Sequence, residues 1–147
     1  MFKFNLEPVL SLKQKIEDSK KRELGEATTY KERVDSEKQL LIQSKLEALS
    51  EAKNQGNSTI SIASMKAFNQ YSQYMDYAIE DKNKELIEAQ KMVDEKRSAL
   101  LEAVKDRKIL DNLKAIQREI FNEEEKREEQ RILDDMVTYR FGIKGKE

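Results

Sequence analysis

Apolar residues recur along most of the chain with the period of an α-helix. In the first third they are three or four positions apart, at Leu6, Val9, Leu12 and Ile16. In the second half they recur every seven residues, at Leu86, Val93 and Leu100. Lys96 and Arg107 interrupt this seam, but their long stems can lie along it with the charge outside. Such spacing is typical of coiled coils and predicts an all-α protein.

One segment has the composition of a turn. Residues 53–61, KNQGNSTIS, combine small polar residues with Gly56. Asn5 is a candidate helix cap, Pro8 falls in a first helical turn, and Ser61 can cap a second helix. We therefore expect one coiled-coil domain over 1–147, with a helix over about 6–54, a turn over about 55–61, a helix over about 62–138 and a frayed tail over 139–147.

Two antiparallel helices of unequal length leave part of the second one without a partner. A turn near Gly56 places Leu10 opposite about Lys105, so the second helix should overhang beyond about Ile109, at the end that carries both termini. A first apolar stripe lies there at Ile109, Leu110, Leu113, Ile116, Ile120 and Phe121, and a second cluster at Ile132, Leu133, Met136 and Val137.

An isolated helix with an apolar stripe is marginally stable in water. The overhanging stripe therefore has three possible partners. It can fold back on Phe2 and Phe4, it can pair with another copy of the chain, or it can bind a different protein.

Charge and composition narrow the function. The chain has 28 Lys and Arg against 29 Asp and Glu, which removes the electrostatic reason to expect nucleic acid or an anionic membrane as a partner. It has no Cys and no His, so disulfides, thiolate zinc sites, Cys nucleophiles and imidazole bases are excluded. With only four Gly and one Pro, the composition is that of long helices.

The remaining chemistry is sparse. The densest carboxylate group, Glu123, Glu124, Glu125, Glu128 and Glu129, is interleaved with Lys126 and Arg127. This is the pattern of a solvated helix face with ion pairs one turn apart. Two helices also offer no cleft for a small molecule. We predict no enzymatic activity, no cofactor, no metal and no small-molecule substrate.

An aromatic stretch follows the turn. Phe68 and Tyr71 share a helical face with Met75, which favours a place in the core. Tyr74 and Tyr77 lie away from that face and should expose ring surface. Exposed rings of this kind suggest a protein contact near the turn.

The two ends and the middle of the chain resemble the FliJ family of small flagellar type III export proteins. The opening segment FKFNLEPVLSLKQKIEDSKKRELGEA carries the family's aromatic, Val-Leu and basic positions at Phe2, Phe4, Leu6, Val9, Leu10, Lys13, Lys15 and Glu17. Its closing charged helix is matched by Leu133, Asp134, Asp135 and Arg140, with Asp135 where the family usually has Glu. The middle segment ISIASMKAFNQYSQYMDYAIE resembles the family's segment after the turn.

This resemblance implies an antiparallel coiled coil similar to the rotor stalk of rotary ATPases. The end with both termini would insert into the hexameric flagellar export ATPase ring and promote its assembly and activity. The turn end would reach the cytoplasmic domain of the export gate membrane protein, and the protein would also cycle export chaperones. Its place would be the cytoplasm, at the cytoplasmic face of the inner membrane.

The resemblance also implies two sets of contact residues. The gate-facing set is Gln39, Gln43, Leu46, Ser50, Tyr71, Met75, Ala78 and Lys82. Among these, Gln39, Tyr71 and Ala78 retain the family's character, whereas Gln43 and Ser50 replace apolar or aromatic residues. The ring-facing set joins a mixed basic and apolar surface of the first helix to the overhanging stripe: Leu10, Lys13, Ile16, Lys20, Lys21, Arg22, Ile109, Leu113 and Ile116.

Two other functions stay open at this point. A type III secretion chaperone would bind exported subunits through an apolar helical groove and leave ATP hydrolysis unchanged. A purely structural homodimeric coiled coil would pair the overhang with itself and need no ATPase partner.

Overall fold

A computed structural model describes residues 1–54 and 61–144 of the chain. In that part of the chain the secondary structure consists of two helices, α1 at Glu7–Asn54 and α2 at Ile62–Lys144. They pack against each other as an antiparallel coiled-coil hairpin in which α2 is the longer helix. The predicted fold class is therefore confirmed.

Both helices begin with hydrogen bonds that occupy free backbone donors. The backbone N–H of Glu7 donates to the carbonyl of Phe4 at 3.1 Å, and Pro8 lies in the first turn of α1. At the start of α2, the backbone N–H of Ser64 donates to Ser61 Oγ at 3.1 Å, so Ser61 is an N-cap. The predicted turn at residues 55–60 lies outside the described residues.

The C-terminal end of α2 differs from the prediction. The helix continues to Lys144, past the predicted end at about residue 138. Residues 139–144 are therefore helical rather than part of a frayed tail, because Gly142 weakens a helix without breaking it and no proline follows. Residues 145–147 lie outside the described part.

Contacts between the helices group the chain into two compact units. We call Asp18–Leu101 the central unit, and Met1–Glu17 together with Glu102–Glu147 the terminal unit. The expectation of a single domain stays a prediction.

The central unit has a narrow apolar seam. Its buried side chains are small or of medium size: Ala27, Val34, Met75, Ala89 and Val93. Along α1, the buried and half-buried positions alternate by three and four residues, at Lys20, Leu24, Ala27, Lys31, Val34, Lys38 and Leu41. Three of these positions are lysines. Their methylene stems therefore fill seam positions that have no apolar residue, while their charged groups stay outside.

The N-terminal segment packs along α2 in the terminal unit. Phe4 and Leu10 are buried, and the ring of Phe2 lies 5.7 Å from that of Phe121 between centroids. Arg118 also lies over the Phe2 ring, with its Cζ 5.5 Å from the centroid. The first of the three possibilities considered for the apolar stripe therefore holds for part of it, since Phe2 and Phe4 lie beside it.

The pairing of the helices differs from the predicted register by about one helical turn. Glu7 pairs with Lys114 at 2.8 Å and Lys13 with Asp106 at 3.7 Å, which places Leu10 level with about Leu110 rather than Lys105. The prediction assumed a turn centred on Gly56, whereas side-chain packing between the helices sets the register. The overhang therefore begins after Phe121 and not at Ile109.

The face of α1 assigned to the seam at its start is also wrong. Leu6, Val9 and Leu12 are exposed, whereas Leu10 and Glu17 are buried. The seam continues through a glutamate at the position seven residues after Leu10. Because one seam position is a glutamate, apolar spacing alone selects the neighbouring helix face with Leu6, Val9 and Leu12.

The narrow seam makes its few buried residues important for stability. Val34 has no exposed surface, so Val34→Ala should lower the free energy of unfolding by about 2 kcal/mol through lost burial and an unfilled space. Leu40, on the same helix, is 63% exposed, and Leu40→Ala should change it by about 0.5 kcal/mol or less. Urea unfolding followed by circular dichroism measures both; equal effects would contradict this description of the core.

Candidate functional site

A network of charged side chains crosses the central unit at Lys82. Lys82 Nζ donates to Glu37 Oε2 on α1 at 2.5 Å and to Glu85 Oε2 on α2 at 3.1 Å. The hydroxyl of Tyr30 donates to Glu85 Oε1 at 2.8 Å. Arg33 lies over the Tyr30 ring, with its Cζ 5.1 Å from the centroid. Five residues from both helices therefore interact as one connected group.

These hydrogen bonds shift the pKa values of their members. The hydrogen bond to Glu85 raises the pKa of the Tyr30 hydroxyl. The hydrogen bond from Tyr30, followed by that from Lys82, lowers the pKa of the Glu85 carboxyl. The hydrogen bonds to Glu37 and Glu85 raise the pKa of Lys82. All three shifts favour the protonation states present at neutral pH.

Two further groups join the helices by charge. In the central unit, Lys96 Nζ lies 3.4 Å from Glu23 Oε2 and its hydrogen bond lowers the pKa of that carboxyl. In the terminal unit, Arg107 binds the buried Glu17 and also Asp111, the latter at 2.5 Å. The hydrogen bond to Glu17 raises the pKa of Arg107. Lys96 and Arg107 of α2 thus form ion pairs with carboxylates of α1.

The predicted gate-facing residues all belong to the central unit. Ion pairs Glu37–Lys82 and Lys45–Asp76 set the register there, and in that register the α1 and α2 members of the set lie level with one another. Leu46 and Tyr71 are exposed, and so are Gln39, Gln43 and Ser50.

The other three gate-facing residues are less accessible. Met75 is buried in the seam and Ala78 is half-buried. Lys82 is half-buried and engaged with Glu37 and Glu85. The resemblance included them in the gate-facing set without regard to their depth in the seam, although the helical spacing had favoured a core place for Met75.

The aromatic stretch follows its helical spacing except at Tyr71, which was expected in the core but is 38% exposed. Tyr74 and Tyr77 are 68% and 70% exposed, whereas Phe68 is half-buried and Met75 is buried. Beside them lies a groove of about 460 Å³, lined by Ala48, Glu51, Ala52, Lys53, Ser64, Met65, Phe68, Asn69 and Tyr71. An exposed, largely apolar surface of this kind suits a protein partner.

The predicted ring-facing residues divide between the two units. Those of the terminal unit differ in exposure: Ile109 and Ile116 are 64% and 54% exposed, Ile16 and Leu113 are half-buried, and Leu10 is buried. Lys13 is half-buried and paired with Asp106. Lys20, Lys21 and Arg22 belong to the central unit, where Lys20 lies 3.5 Å from Glu23.

Two exposed apolar side chains of the terminal unit are absent from the predicted ring-facing set. Leu12 on α1 was assigned to the seam, and Ile120 on α2 was left as part of the stripe without a role. Both are at least half exposed. Their exposure depends on the register and on the charged seam positions, which apolar spacing alone does not reveal.

The last part of α2 in the terminal unit is exposed throughout. Every described side chain from Asn122 to Ile143 is exposed, including the apolar cluster Ile132, Leu133, Met136 and Val137. We call this segment the overhang. Ile109 to Phe121, by contrast, has Phe2 and Phe4 beside part of it.

The residues that the structure describes form no group of Asp and Glu suited to hold a metal ion. Neither described helix is apolar enough over a sufficient length to cross a membrane. What the described surface does offer is exposed apolar and aromatic side chains on helices held in a defined register. This arrangement defines a helical, coiled-coil protein with exposed apolar surface on both helices.

Comparison with known proteins identifies the family. Residues 2–146 match the family described as flagellar FliJ protein. The chain therefore belongs to the FliJ family and is a coiled-coil protein associated with type III export. No curated protein matches the sequence.

A solved structure shares the fold. CT670 from Chlamydia trachomatis, described as a YscO homologue, superposes with a TM-score of 0.50 at 19% identity. The alignment covers 100% of this chain and 99% of that one. At this level of identity the likeness concerns the fold alone.

The pKa shifts give the hairpin a defined dependence on pH. Because the pKa values of Glu23 and Glu85 are lowered in the folded state, their contribution to stability is complete above the ordinary glutamate pKa. This contribution is lost as the pH falls through the pKa values that the two carboxyls have in the folded state. Tyr30 and Lys82 have raised pKa values, so their contribution is complete below their ordinary values and is lost as pH rises through the folded ones.

The thermal midpoint should therefore be constant around neutral pH and fall in both acid and strong alkali. Glu85→Gln removes the carboxylate that Tyr30 and Lys82 share. In this variant the fall of the thermal midpoint in acid and in strong alkali should therefore be smaller. Glu88→Gln, an exposed change on the same helix, is the matched control and should retain the full fall in both. Circular dichroism melts across pH measure the profile, and identical profiles for the two variants would contradict the network.

Proposed function

We propose that this protein is a non-enzymatic stalk of the bacterial flagellar type III export apparatus. Its terminal unit inserts into the hexameric export ATPase ring and promotes assembly and ATP hydrolysis. Its central unit contacts the cytoplasmic domain of the export gate, and export chaperones bind and leave it in turn. The protein acts in the cytoplasm, at the cytoplasmic face of the inner membrane.

The observation that carries the proposal is the exposed apolar surface of the terminal unit in a chain of the FliJ family. Exposed residues occur on both helices, at Leu12 on α1 and at Ile109, Ile116 and Ile120 on α2. Helices exposed in this way gain stability from a partner that covers them. The interior of a ring provides such cover on several sides at once.

The proposed mechanism uses binding and no chemistry of the chain itself. A stalk that contacts several subunits of a ring stabilises the assembled hexamer, because the stalk binds the ring and not its separate subunits. We therefore expect hydrolysis to rise with the amount of assembled ring. The basic residue Lys13 of the terminal unit already pairs with Asp106 of this chain, so the proposed ring contact relies mainly on the exposed apolar residues.

The direct experiment measures ATP hydrolysis by the matching export ATPase at increasing ratios of this protein to ATPase. We expect stimulation that saturates near one copy per ring. An unchanged rate together with unchanged ring assembly would contradict the stalk function. A stable complex with the terminal helix of an exported subunit, under the same conditions, would instead support a secretion chaperone.

Charge on the exposed stripe should weaken this stimulation. The double change Ile109→Glu and Ile116→Glu places carboxylates on the exposed face and leaves the half-buried Leu113 in place, so the fold is retained. We expect the concentration for half-maximal stimulation to rise at least about tenfold. Ile87→Glu, at an exposed isoleucine of the central unit, is the control and should leave it unchanged.

The gate contact predicts a second, separate effect. Leu46→Glu with Tyr71→Glu introduces charge on the exposed gate-facing surface and should weaken binding to the cytoplasmic domain of the gate by about tenfold or more. Leu101→Glu changes an exposed leucine of the same unit and should bind normally. Surface plasmon resonance with the purified domain measures all three chains. Equal affinities would contradict the assignment of this surface.

A further inference from the structure

The overhang of α2 has a charge pattern that is complementary to itself. Before its apolar cluster, residues 122–131 contain five glutamates against three cations, Lys126, Arg127 and Arg131, and Arg131 pairs with Glu128 at 2.6 Å within the helix. After the cluster, residues 138–144 contain Arg140 and Lys144 and no acidic residue. Two copies of the segment laid antiparallel therefore bring an acidic half against a basic half.

The helical positions place the complementary charges and the cluster on one face. Glu129 and Arg140 are about three helical turns apart and point within about 20° of each other around the axis. Leu133 and Met136 lie about 60° apart around the helix axis, and Glu129 and Arg140 point midway between them. One strip of the exposed surface thus carries, in order, a carboxylate, an apolar centre and a guanidinium.

A single symmetric register satisfies all of these residues together. If the two-fold axis passes midway between Asp134 and Asp135, positions equally far from that midpoint meet across the pair. Leu133 then lies level with Met136 of the second copy, and Glu129 with Arg140 of the second copy.

The acidic residues nearest the axis do not oppose this register. Asp134 and Asp135 point about 130° to either side of the apolar strip, so they remain in solvent on the outer surface of the pair. Asp134 also accepts a hydrogen bond from Gln130 Nε2 at 3.1 Å within its own helix. The like charges near the midpoint are therefore directed away from the contact.

We propose that the overhang is a docking surface for a second copy of this chain. The two copies form an antiparallel, two-fold pair with Leu133 and Met136 at its centre and Glu129–Arg140 ion pairs on both sides. Because the contact uses one short segment from each chain, the dimer dissociates on dilution. The same face cannot bind another protein while the dimer exists.

The mass of the full chain as a function of concentration tests the proposal. Sedimentation velocity from low micromolar to several hundred micromolar should show a reversible monomer–dimer equilibrium and no larger species, since a two-fold contact closes on itself. Leu133→Lys should leave a monomer throughout. A monomer at every concentration, or assembly beyond the dimer, would overturn the proposal.

Charge reversal tests the register independently of the apolar contact. Arg140→Glu turns both ion pairs into repulsive pairs and should raise the dissociation constant by at least about tenfold. Adding Glu129→Arg restores opposite charges and should return it to within about twofold of the natural chain. Arg127→Glu, an exposed reversal on the far side of the helix, is the matched control. Failure of the double variant to restore dimerisation would contradict the register.

The absence of cysteine allows a direct test of orientation. A mixture of Glu129→Cys and Arg140→Cys chains should form a disulfide between unlike chains on mild oxidation. Each variant alone should not, because like positions lie about 16 Å apart along the axis, beyond the reach of a disulfide. A disulfide between two Glu129→Cys chains would instead indicate a parallel pair and would overturn the proposal.

Discussion

Two antiparallel helices joined by a narrow apolar seam can slide past one another unless some interaction fixes their register. In this protein the interaction is a pairing of seam cations on α2 with carboxylates on α1. Met75, Lys82, Ala89 and Lys96 follow one another at intervals of seven residues on α2. A slip of one heptad in either direction would therefore replace a lysine by an apolar residue opposite Glu37, and would leave that carboxylate without its partner.

The register in turn decides which surfaces are exposed. In the terminal unit it brings Phe2 beside Phe121 and leaves Ile109 and Ile116 accessible on the same helix. In the central unit it places the exposed Leu46 and Tyr71 about one helical turn apart along the two helices. The charged seam is thus a stabilising feature and also the reason that these exposed surfaces lie where they do.

Sequence reasoning could predict the helices but not their pairing. Heptad spacing, the scarcity of glycine and proline, and the polar segment around Gly56 suffice for two long helices. They did not reveal that the seam passes through Glu17, because a carboxylate among so many charged residues has no distinguishing pattern. The register was misplaced by about a turn because the turn was assumed to be centred on Gly56. Lys82 was included in the gate-facing set although it is bound to Glu37.

The central claim is that the terminal unit enters the export ATPase ring. A photo-crosslinking amino acid at position 116, compared with one at position 87, tests it most directly, since both native residues are exposed isoleucines of α2 in different units. With the assembled ring and nucleotide, position 116 should crosslink to the ATPase and position 87 should not. Crosslinks from position 87 alone, or none from position 116 in a ring that binds the protein, would contradict the account.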